Sequence, residues 1–171
     1  MKRKWVRRVL AVLAVLLLGL VIWVGPVIKD LYTHGFFEGT ERRKYDGDSA
    51  ANLHTQYTAL MLYHESEDQF PHATGWMDAI KDRLGTNDIA KEDWGKKLIR
   101  PDLRTEPGAF GYAMSDEASA KYKGDLKDKK LPLIYESTDH GRNAHAPSAS
   151  FEHGQAIGVD GNLLKKPGDV R

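Results

Sequence analysis

The chain has 171 residues, a formal net charge of +1 and no cysteine. That length suits one ordinary domain with a short appendage, and the missing cysteines exclude a disulfide scaffold, a thiolate metal site and a thiol nucleophile. The charge is uneven: Lys2, Arg3, Lys4, Arg7 and Arg8 are the only charges in the first 28 residues, leaving 20 basic against 24 acidic residues beyond them, a net of −4 that argues against a nucleic-acid partner.

Residues 9–28 carry no charge. Twenty apolar residues make roughly 30 Å of helix, the thickness of a bilayer's hydrocarbon core. Gly25 and Pro26 fall near its outer end, where a kink is tolerated. A cleaved signal peptide would have a shorter apolar region and a small-x-small site after it. The stretch Gly25-Pro-Val-Ile-Lys29 offers no such site, so a retained anchor is expected. The basic cluster before the run keeps the N-terminus in the cytoplasm. Arg42, Arg43 and Lys44 on the far side are diluted by Asp30, Glu38, Glu41 and Asp46. These residues predict a single pass through the cytoplasmic (inner) membrane, with the lipid bilayer as a partner and the main domain outside the cytoplasm. Residues 1–28 form the flank and anchor, 29–45 a connector with Tyr32, Phe36 and Phe37 at headgroup level, and 46–171 the outer domain.

In the outer domain a first helix is expected over residues 49–66, capped by Asp48 or Ser49. Leu53, Tyr57, Leu60, Met61 and His64 share one helical face and read as core. Phe70-Pro71 closes this unit. A shorter helix fits residues 75–84, with Trp76, Ile80 and Leu84 on one face and Gly85 at the C-terminal cap. Residues 86–109 lack a period and read as an irregular excursion. Strands are expected at 110–114, 131–135, 155–159 and 162–165, the last two joined by an Asp160-Gly161 turn. Helices first and strands later predict an α+β domain on a small antiparallel sheet.

Several motifs follow one another in an ordered series. They are Asn52-Leu-His-Thr-Gln-Tyr-Thr-Ala-Leu-Met-Leu-Tyr63, Gln69-Phe-Pro71, Phe110-Gly-Tyr-Ala-Met114, Leu131-Pro-Leu-Ile-Tyr-Glu-Ser137, Gly141-Arg-Asn143 and Val159-Asp-Gly-Asn162. Together they resemble type IV pilin-like and type II secretion pseudopilin-like proteins, in particular the prepilin-like group with a C-terminal Asp-Gly motif. The resemblance covers roughly residues 50–165. It implies a helix packed on an antiparallel sheet and a structural or assembly role beside envelope or secretion proteins. Two elements of the family pattern are missing. No Gly precedes Val9, and the first Glu of the chain is Glu38. The family's cleavage motif and membrane-embedded carboxylate are therefore absent, which points to an uncut tether. The group's His-x9-Asp-Gly spacing also departs, because Ser150 stands ten residues before Asp160.

Candidate chemistry gathers near the C-terminus. His140, His145 and His153 with Asp139 and Asp160 carry good zinc-ligand types. Asp139, Glu152 and Asp160 carry hard oxygen ligands of the kind calcium takes from loops. Ser137, Asp139 and His140 hold the residue types of a hydrolytic triad without a nucleophile-elbow sequence. Against these stands a polar, solvated loop, which accounts for all of them. Glu136 ends an apolar strand, and Arg142 is its expected partner. The expected function is a non-enzymatic envelope protein with no catalytic residue and no cofactor. A tethered metal-binding module or metal-dependent enzyme using the histidines, and a ligand-binding sensor or adaptor, are the alternatives.

Overall fold

The computed structural model describes residues 13, 19–20, 23–29 and 43–167. The chain divides into two compact units, residues 1–41 and 42–171. In the first, the described residues 23–29 are helical, with Trp23, Val27 and Ile28 exposed. Most of the expected anchor at 9–28 and of the connector at 29–45 lies outside the described residues. No helix among those described is long and apolar enough to cross a membrane.

The second unit begins its regular structure with α1 (Ser49–Glu67). Asp48 sits in extended conformation and its Oδ1 accepts from the Ala51 N–H at 2.8 Å, filling one of the orphan donors of the first turn. Asp68, at φ 58°, ends the helix in the left-handed region. Leu53, Leu60 and His64 are buried, and Tyr57 and Met61 pack against the same core. Asn52 and Gln56, read as polar, are also fully buried. Their amides donate to the Ile99 and Lys97 carbonyls at 2.8 and 2.7 Å, so α1 holds the following loop by side-chain hydrogen bonds. Asp48→Ala is expected to cost about 1 kcal/mol, read as a fall of roughly 3–4 °C in thermal midpoint.

The expected second helix is observed in three short pieces. A 3-10 turn (Ala73–Gly75) leads into α2 (Trp76–Ile80), and a second 3-10 turn (Lys81–Arg83) follows. Trp76, Ile80 and Leu84 are all buried, as their spacing predicts. The Met77 N–H, otherwise unpaired in the first turn, donates to Asn143 Oδ1 at 2.8 Å. Gly85 is not a left-handed cap. A Cβ there would stand 2.5 Å from the Trp94 ring, so the small residue makes room for an indole. The stretch 86–109 is more ordered than its sequence suggests, with 3-10 helices at Lys91–Leu98 and Pro101–Leu103, Lys97 buried within the first and Arg100 buried just before the second. Lys97 spends its ammonium on the Leu84 carbonyl at 2.7 Å and on Thr86, and burial pushes its pKa down.

The strands are β1 (Tyr112–Ser115), β2 (Pro132–Glu136), β3 (His145–Ala146), β4 (Gly154–Gly158) and β5 (Leu163–Lys166), in the spatial order β3-β1-β2-β4-β5. The domain is α+β, as expected, but the sheet is mixed. After β2 the chain passes the end of β1 and lays β3 along its free edge in parallel, Met114 opposite His145. The Ala144 carbonyl fixes this return by accepting from Met114 N–H at 3.1 Å and from Trp76 Nε1 at 3.0 Å. The β4–β5 hairpin turns through Asp160-Gly161, with Gly161 at φ +84°. One face of the sheet, with Met114, Ile134, Ile157 and Leu163, meets α1 in the main core. The other, with Ala113, Tyr135 and Ala156, lies under Phe151 and Ala144. Burial on both faces explains why β1 is buried at every position.

Candidate functional site

Side chains alternate along a strand, so residues in register share a face. The α1-side core row ends where α1 begins. One row further along, Tyr112 of β1 stands opposite Glu136 of β2, and Gln155 of β4 opposite Lys165 of β5. The Gln155 N–H donates to Glu136 Oε2 at 2.9 Å and joins the two pairs into one polar row. Glu136, Gln155 and Lys165 of this row line an open cleft of about 500 Å³, together with Asp48 and Ser49 from the start of α1 and Arg100, Pro101 and Asp102 from the loop preceding the sheet.

The walls and floor are tied together. Ser49 Oγ donates to Glu136 Oε1 and shares a hydrogen bond of 2.9 Å with the Tyr112 hydroxyl. Asn52 Nδ2 reaches that hydroxyl at 3.3 Å. Burial, opposed by the Ser49 and Asn52 hydrogen bonds, pushes the Tyr112 phenol up, so it stays protonated. Arg100, only 5 % exposed, forks onto both oxygens of Asp102 at 2.7 and 2.9 Å and donates to the Ser137 carbonyl at 3.0 Å. Burial opposes the charge on Arg100, but the Asp102 hydrogen bonds and the fields of Asp102 and Glu136 outweigh it and hold the guanidinium charged. The same fork holds the Asp102 carboxyl below its ordinary range.

Two groups of the row remain unused. Gln155 Oε1 is buried and accepts no hydrogen bond. A buried acceptor left in that state costs about 1–3 kcal/mol. At the other end the Lys165 side chain is exposed and its ammonium has no partner among the described residues. The cleft therefore offers acceptors on β2 and β4 and a free donor on β5.

The residues singled out in the sequence fall elsewhere. His145 Nδ1 lies 2.7 Å from Asp116 Oδ1 at the sheet edge. His140 stands 4.0 Å from Glu106 and His153 4.0 Å from Glu152, both in open positions. Asp139 Oδ1 accepts from the Gly141 N–H at 2.8 Å. Asp160 is engaged by the Asn162 backbone and side chain at 3.0 and 2.8 Å, and those hydrogen bonds lower its pKa. The three histidines thus each face a different carboxylate. Among the described residues no group of three or more His, Asp or Glu side chains is placed to hold a metal ion. Ser137 Oγ accepts from the Asp139 N–H at 3.0 Å, and no hydrogen bond joins it to His140.

The expected Glu136–Arg142 pair does not form. Arg142 reaches across to Asp78, Nη2 to Oδ1 at 2.6 Å, and Glu136 is held by Ser49 and Gln155 instead. The hydrogen bonds from Arg142 and then Asn143 bring the Asp78 carboxyl down to about 2. A depressed folded pKa contributes stability that is fully present above the unfolded value near ~3.9 and is lost as pH falls toward the folded one. Arg142→Met is therefore expected to be less stable than the parent near neutral pH, with the gap closing between about pH 4 and pH 2. Both side chains are nearly half exposed, so a gap below about 1 kcal/mol is expected; urea titrations at several pH values measure it.

Sequence reasoning missed Ser49, Arg100 and Gln155 as site residues. The one available signal was the capping position of Ser49. The chain was also compared with known proteins: no family model matches it, no curated protein matches it, and no solved structure matches it.

Proposed function

We propose that this protein is a single-pass, membrane-anchored envelope protein whose outer domain is a pseudopilin-like helix-on-sheet unit with a structural or assembly role, acting beside a secretion or surface apparatus. The observation that carries the reading is the packing of one long helix, α1, against a sheet that ends in the β4–β5 hairpin turned by Asp160-Gly161. That is the arrangement the pilin-like motif series implies. The basic-flanked apolar run at 9–28 supports the anchor. The exposed apolar side chains of Trp23, Val27 and Ile28 agree with a lipid-facing helix.

Affinity purification of the intact protein from membranes in mild detergent tests the role. Co-recovery of secretion or envelope components is the expected result, and a lone monomer would count against assembly. Intact-mass spectrometry of the mature chain is expected to find residues 1–28 still attached.

A further inference from the structure

We propose that the cleft beside the start of α1 binds short linear peptides with both termini free, on the order of three residues long. The case begins with the two unused groups. Gln155 Oε1 is a buried acceptor without a donor, and Glu136 next to it presents a carboxylate. A protonated amino terminus supplies N–H donors to Glu136, and the next peptide N–H of the ligand reaches Gln155 Oε1. Lys165, opposite Gln155 on β5, presents an ammonium with no partner among the described residues. A terminal carboxylate completes it by a charge-assisted hydrogen bond.

Spacing sets the ligand length. Glu136, Gln155 and Lys165 lie on three successive strands, and neighbouring strands are ~4.8 Å apart, so Glu136 and Lys165 stand roughly 10 Å from each other with Gln155 between them. Three extended residues span about 10 Å. A free amino acid is too short to engage both ends at once. Charge selects the class further. The charged lining is balanced, Asp48, Asp102 and Glu136 against Arg100, Lys165 and Lys166, which suits a zwitterion better than a phosphate or other polyanion. A simple cation would leave Lys165 unpaired. The volume of about 500 Å³ falls within the range of small-ligand sites. This ligand is independent of the assembly role, and its failure would leave the anchoring reading intact.

The test is isothermal titration of the full chain in mild detergent with trialanine, compared with N-acetyl-trialanine, trialanine amide and free alanine. Saturable binding of trialanine is expected, with each of the other three at least about tenfold weaker. Lys165→Met, at an exposed position, should weaken trialanine about tenfold while leaving its amide unchanged. Gln155→Leu, which removes the mid-ligand acceptor, should weaken trialanine and trialanine amide alike. No saturation by trialanine up to millimolar concentration overturns the proposal. So does equal affinity for free and blocked peptides, or trialanine binding that is unchanged in Lys165→Met.

Discussion

Trp76→Ala is expected to cost about 3–5 kcal/mol, enough to lower the thermal midpoint by roughly 10–20 °C or to leave the unit of residues 42–171 largely unfolded at growth temperature. Trp76 is fully buried in the main core and its indole N–H donates to the Ala144 carbonyl at 3.0 Å. It thus links α2 to the return segment that places β3 beside β1. Most of the cost is lost apolar volume, since alanine leaves a cavity the size of an indole. The hydrogen bond is the smaller part, because Ala144 keeps a second donor, the Met114 N–H at 3.1 Å. Trp76→Phe separates the two contributions. It keeps most of the ring volume and should cost only about 0.5–1.5 kcal/mol from the missing donor, plus a small packing change. Thermal unfolding of the full-length variants in detergent, followed by near-ultraviolet circular dichroism, measures both.

Gly111→Ala is expected to be nearly as damaging, at about 2–5 kcal/mol, for two reasons that add. Gly111 has φ +78°, a conformation that costs a residue with a Cβ about 1–2 kcal/mol. The new Cβ would also stand 2.5 Å from Leu103 Cδ1 and 3.2 Å from Arg100 Cβ, both on buried residues. Relieving that overlap costs a further 1–3 kcal/mol or so and pushes the Arg100 wall of the cleft outward. Gly108 provides the control. It has the same φ of +78°, but nothing lies within 4 Å of its Cβ position. Gly108→Ala should therefore show the backbone cost alone. Equal losses at the two positions in denaturant titrations would mean that the Leu103 contact is not tight.

These two residues illustrate what could and could not be read from the chain. Trp76 was legible, because its spacing with Ile80 and Leu84 marks an apolar helical face. The α1 stripe and the Asp160-Gly161 turn were legible for similar reasons of period and turn chemistry. Gly111 was not, since its constraint comes from Leu103 and Arg100, which the fold brings in from an unpatterned stretch. Asn52, Gln56, Lys97 and Arg100 read as surface residues by type. They are buried because each satisfies a specific carbonyl or carboxylate, and those partners are mostly far along the chain. β3 was missed because two residues carry no alternation. The polar row of the cleft draws one residue from each of four strands, and strand register depends on pairings that local pattern does not encode. The C-terminal histidines drew notice by residue type, yet they lie on separate loops and a strand end, each beside its own carboxylate.

The absence of cysteine allows a direct test of the proposed anchored, outward-facing topology. Lys127→Cys places a thiol at an exposed position of the unit 42–171, and Lys2→Cys places one in the basic flank. Intact cells with a permeabilised outer layer are treated with a membrane-impermeant maleimide, and the membrane pellet is then extracted with alkaline carbonate. Lys127→Cys is expected to be labelled before lysis and Lys2→Cys only after it, with both proteins staying in the carbonate-washed pellet. Labelling of Lys127→Cys only after lysis, or release of either protein into the carbonate supernatant, would contradict this topology.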